Sequence, residues 1–245
     1  IGIAAGFISL PLMGRVPGGM PVRVSGRTPA GVFRPHRAAL QDKPYMTFIT
    51  FVGICFSSVA WFGSAIVLYM RDALHIMPFH ILILTAIGSL AIMLTIGFWG
   101  RYADHAGSPH ALALSLCGMG LMSLGAVLVL PGMPGMIYAL AVVIVIAAVF
   151  VSAFSSTINR AMLGYLNPEE RVGYSNLWTV FAAAGGAITP IIAGNVIHGF
   201  GIWGYRACFI IGAVSSFACA IGALYLVKKE KEFEFPWKQC PFYEL

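Results

Sequence analysis

Gly97-Phe98-Trp99-Gly100-Arg101-Tyr102-Ala103-Asp104-His105-Ala106-Gly107-Ser108-Pro109-His110 is a short polar stretch between two long apolar runs. Read by itself it is a turn. Glycines punctuate it, and Ser108-Pro109 reads as an N-cap followed by proline at the first helical position, so a new helix starts at once. Arg101 and Asp104 stand within about one helical turn of hydrocarbon-like sequence, where an unpaired charge costs a few kcal/mol or more. The stretch needs partners for its charges.

What flanks it sets the class. The chain of 245 residues is 59% hydrophobic and 10% charged, with a mean hydropathy of +0.85. Soluble domains carry about 25% charged residues, so the composition predicts a polytopic membrane protein, an all-α bundle of transmembrane helices. Six apolar runs are expected to span a bilayer, at 45–69, 79–100, 109–130, 136–158, 172–197 and 206–227. The third and fourth are separated only by Pro131-Gly132-Met133-Pro134-Gly135. Before them, Ile1–Met13 is too short to span and has no basic leader, so it fits the end of a preceding transmembrane helix and the sequence reads as a fragment. Residues 14–44, rich in Gly, Pro and Arg, read as a basic inter-domain loop; 45–228 form the membrane domain, and 229–245 a tail.

Charge orients the runs. With the 14–44 loop in the cytoplasm and the spans alternating, 15 Lys and Arg residues all fall inside except Arg71 and Arg206. That asymmetry predicts a multi-pass protein of the cell (cytoplasmic, inner) membrane with loop and tail in the cytoplasm. The net charge of +6 belongs to this face and not to a nucleic-acid surface. At the fifth run, Asn167-Pro168-Glu169-Glu170 reads as N-cap, proline and two acids in the first helical turn.

Six spans, a basic loop before them and Gly100-Arg101-Tyr102-Ala103-Asp104-His105-Ala106-Gly107 between the second and third resemble the carboxyl-terminal half of a major facilitator superfamily transporter. The glycines and aspartate carry the family's Gly-x-x-x-Asp-x-x-Gly signature; His105, Ser108 and His110 stand where the family prefers basic residues. The resemblance implies secondary active transport of a small solute by alternating access. It also implies a missing amino-terminal six-helix half as partner, beside the bilayer and the solute, with the signature stabilising one end state. On that footing Asp104 is expected to pair with Arg160 and to face the start of the fifth run at Glu169, Glu170 and Arg171. Gly100, Arg101 and Gly107 complete a conformational latch worth about 1–3 kcal/mol.

The family's cavity is lined mainly by the first, second, fourth and fifth spans of this half. There Ser57, Trp61 and Ser64 share a face, Thr85 and Ser89 stand four apart, and Ser152, Ser155, Ser156 and Asn159 line one side near the basic end. Asn176 and Thr179 follow in the fifth span. Each hydroxyl has a plain structural alternative, bonding its own backbone or a neighbouring helix. Gly185, Gly186 and Pro190 suit either a hinge or close packing. No Asp, Glu, Lys or Arg lies deep in a run, so proton-coupling groups are expected from the other half. Neither a metal site, a cofactor nor a catalytic cluster is indicated, which disfavours an enzyme or an ATP-driven pump. The alternative reading is a non-transporting six-span scaffold or receptor-like half that pairs with another chain.

Overall fold

The structure, a computed structural model, describes residues 39–165 and 171–227, with the side chains at 171 and 172 excluded. Within these residues the chain is an all-α polytopic bundle. Its helices are α1 (Lys43–Leu68), extended by a π-helical turn Tyr69–Ala73, α2 (Pro78–Ala106), α3 (Ser108–Leu128), α4 (Met136–Leu163), α5 (Arg171–Phe200) and α6 (Ile202–Leu226). Six stretches are long and apolar enough to cross a membrane.

Helix ends follow local chemistry more closely than hydropathy. Asp42 caps α1 by accepting the Tyr45 N–H at 3.2 Å, with Pro44 in the first turn where its missing N–H costs nothing. The first span runs on past residue 69 to Ala73, carrying Arg71 and Asp72 out on its π-helical end.

The stretch Gly97–His110 is mostly not a loop. α2 continues through Arg101 and Asp104 to Ala106, and only Gly107 breaks the helix, at φ 82 and ψ 151. The Gly107 N–H still closes onto Ala103 O at 3.0 Å, and His105 Nδ1 sits 2.8 Å from Arg101 O. Polarity alone does not end a helix while its i→i−4 bonds can be made. The cap reading also shifts. Gly107 is the N-cap of α3, and Ser108 is its first helical residue, fully buried. The expected cap at Asn167-Pro168-Glu169-Glu170 lies outside the described residues.

Packing runs in the order α5, α1, α6, α3, α4, α2. α1 and α5 lie parallel in a register offset by 132 residues, seen in Asp42–Tyr174 and Ser57–Thr189 and kept by Gly53–Gly185. α2 and α4 are also parallel, with Ser152 Oγ donating to Ile92 O at 3.3 Å. α3 meets α6 antiparallel, where Ser123 Oγ donates to Phe209 O at 2.9 Å. Two apolar clusters fill the interior. One, with Tyr45, Phe48, Val52, Leu116, Phe154 and Ile158, lies toward the Asp42 end. The other, with Phe62, Tyr69, Met119, Leu140, Cys208 and Phe209, lies toward the Asp72 end. At the two ends of the packing order, α2 and α5 are the least buried spans.

Candidate functional site

The Gly107 break fixes the geometry of the polar end. It lets α2 run to its last residue and α3 begin beside it, so Asp104 stands on the final turn of α2. α4, parallel to α2, brings Arg160 to the same level on its own last turn. Asp104 Oδ1 and Arg160 Nη1 form an ion pair, with side chains 60% and 30% exposed respectively. Arg160 belongs where it is, since a cation near a helix C-terminus meets the negative end of the dipole. Asp104, at the C-terminal end of α2, does not have that advantage, and the guanidinium supplies the compensation. Arg101 points to the exposed side of the same turn, and Gly100 has open space around its Cα. Glu169 and Glu170 and the side chain of Arg171 lie outside the described residues.

A second polar cluster at this end was not anticipated. Tyr174 of α5 donates its hydroxyl to Asp42 Oδ2 at 3.0 Å, and Tyr45 donates to the Tyr174 carbonyl. Asp42 thus caps α1 and holds the start of α5 at once. Beside it Phe48 stacks on Tyr165, centroids 4.2 Å apart. The opposite end has a matching clamp. Arg71 Nε donates to Asp72 Oδ1 at 2.6 Å, Tyr205 of α6 donates to Asp72 Oδ2 at 3.3 Å, and Tyr69 donates to Val129 O at 2.6 Å. Acids and tyrosines flanking a span were the available signal; their pairing across about 130 residues was not in the pattern.

The expected cavity residues separate into three groups. Ser64, Thr85, Ser89, Thr179 and Asn159 each donate to a carbonyl four residues back. Ser57 and Ser152 bond to other helices, Ser57 to Thr189 Oγ1 at 2.6 Å and Ser152 to α2. Trp61 is half-buried with its Cβ against Gly212 of α6. Ser155 is half-buried, while Asn176 is exposed. Thr189, buried and also bonded to Gly185 O at 3.0 Å, was missed in the sequence because its partner stands on another helix. Ser57→Ala is expected to cost about 1 kcal/mol, read as a lower thermal unfolding midpoint of the purified chain.

No curated protein and no solved structure matches the chain. A family model, that of the Major Facilitator Superfamily, matches residues 47–239, which takes in α2 to α6, all of α1 but its first four residues, the Gly100–Gly107 signature and both clamps except Asp42 and Tyr45. That family is one of transporters and not of enzymes. With six apolar helices in a bundle and the family's pattern across them, this multi-pass membrane chain belongs to the Major Facilitator Superfamily.

Proposed function

We propose that the chain is the carboxyl-terminal half of a secondary active transporter that moves a small solute by alternating access, with the Asp104–Arg160 pair as a latch on one end state. The observation that carries this reading is the ion pair itself. It joins the last turns of two parallel spans directly beside the Gly107 break, in a six-span domain of a transporter family. The latch comprises Asp104, Arg160, Gly100, Arg101 and Gly107, with Glu169, Glu170 and Arg171 as further members. It faces the cytoplasm, as does the basic loop before α1.

The missing amino-terminal half packs on α2 and α5. Both are the least buried spans, and α5 exposes the small residues Ala183, Ala184 and Ala187, which allow close helix approach. The solute cavity lies between the halves and draws on Trp61, Ser155 and Asn176 in this one, with Gly185, Gly186 and Pro190 shaping α5 around it.

The latch is modest in energy. An ion pair as exposed as this one is worth about 1 kcal/mol, and a contact can bias an equilibrium only by what it contributes differently to the two states. That corresponds to about a fivefold change in the ratio of end states. Asp104→Asn in the complete transporter is therefore expected to lower uptake by about fivefold while surface expression holds. Uptake equal to that of the unaltered transporter would remove the latch from the mechanism.

A further inference from the structure

The α1–α6 interface holds two cysteines in opposition. The two helices are antiparallel, and three contacts set their register. A Cβ built at Gly222 comes within 2.8 Å of the Phe51 ring, one at Gly212 within 3.1 Å of Trp61 Cβ, and Tyr69 lies 5.4 Å from Tyr205 between ring centroids. Between the first two levels that register sets Cys55 against Cys219. Both side chains belong to the same buried apolar cluster, and the two sulfurs and the Ser58 hydroxyl are near neighbours. Ser58 also donates to the Cys55 carbonyl at 2.8 Å. Cys55 is 0% and Cys219 4% exposed.

A single buried cysteine is a small hydrophobe. Two facing thiols in an apolar interior are also a bidentate soft donor set. Among the described residues no third Cys, His, Asp or Glu joins them. That leaves zinc short of its four ligands and gives calcium or magnesium no oxygen shell. We infer that Cys55 and Cys219 form an intramembrane site for one two-coordinate thiophilic metal ion of the mercury(II) class. The site is reached by the neutral dichloride, which crosses hydrocarbon without the solvation cost of an ion. Two S–Hg bonds form as two S–H and two Hg–Cl bonds break, and two protons and two chlorides leave. The resulting bis-thiolate is uncharged, so no net charge remains in the bundle interior. The bound metal ties α1 to α6.

The test uses the full chain with Cys117, Cys208 and Cys240 replaced by alanine, purified and exposed to mercury(II) chloride. Intact-mass analysis should show one mercury per chain with two hydrogens lost and no chloride retained, and the thermal midpoint should rise, since the metal binds the folded state. Cys55→Ser or Cys219→Ser should weaken retention against a competing small dithiol by about 100-fold or more, because the second thiol acts at high effective concentration. Cys→Ala at the same positions gives a second pair of variants. Two mercury atoms per chain, each keeping a chloride, would overturn the site. So would no uptake by the folded chain, or single variants that hold the metal as tightly as the pair.

Discussion

Gly185→Ala is expected to destabilise the bundle by about 3 kcal/mol, whereas Gly186→Ala, one residue on, leaves it intact. A Cβ on Gly185 would stand 2.1 Å from the Gly53 carbonyl oxygen and 2.9 Å from its carbon. Those are backbone atoms of α1, so no rotamer change relieves the overlap. Sliding or separating the helices is resisted on both sides. The Ser57–Thr189 bond lies one turn further on, and the Asp42–Tyr174 bond holds the start of the pair. Gly53 itself is tight, since a Cβ there would meet Phe181 O at 3.1 Å. Overpacking usually costs about 1–3 kcal/mol, and the immovable partner puts this site at the top of that range. A Cβ on Gly186 meets nothing within 4 Å, and alanine there gains the helix propensity that glycine lacks, about 1 kcal/mol. Unfolding midpoints of the two variants in the same detergent decide the matter; equal midpoints would mean that the α1–α5 crossing is not a close backbone contact.

That comparison also marks what the sequence carries. Gly185 and Gly186 are indistinguishable in the string, and both fit a hinge or a packing face. Only the direction of each Cα–H bond relative to α1 separates them. Pro190 is legible as a helix interruption because it offers no N–H to the Gly186 carbonyl, yet α5 runs through it to Phe200. The spans themselves were readable because each needs about 20 apolar residues, a demand of the bilayer that hydropathy measures directly. Their ends were not. Helical hydrogen bonding continues through polar residues, so α2 extends past Gly100 to Ala106 and α4 past 158 to Leu163.

The polar end was legible to the extent that charge requires a partner. Asp104 and Arg160 are the acid and base that close the second and fourth runs, and opposite charges at one membrane face have few alternatives. Asp42 and Asp72 were equally visible as residues, but their partners on other helices are tyrosine hydroxyls supplied by α5 and α6. A phenol near a span end has an ordinary interfacial explanation, so nothing in the sequence singles out Tyr174 or Tyr205 as a clamp. The same limit applies to Ser57, whose spacing with Trp61 and Ser64 suggests a lining face while its hydroxyl is engaged by Thr189.

Reversing one charge of the latch should have a larger effect than neutralising it. In the complete transporter, Asp104→Arg places a cation beside Arg160, so the roughly 1 kcal/mol of attraction is lost and a repulsion of similar size replaces it. A change of about 2 kcal/mol corresponds to roughly a 30-fold shift in the end-state ratio, read as a fall in uptake by proteoliposomes. Helix fraying offers no competing account. Residue 104 lies in the last turns of α2, where a cation suits the dipole better than the native carboxylate does. The thermal midpoint is therefore expected to change little while transport falls. Adding Arg160→Asp to the same chain restores one charge of each sign across the α2–α4 gap, and uptake should recover most of the loss. A doubly substituted transporter as slow as Asp104→Arg alone would show that the identity of the residues matters and not their attraction, and the latch would then have to act through a partner other than this pair.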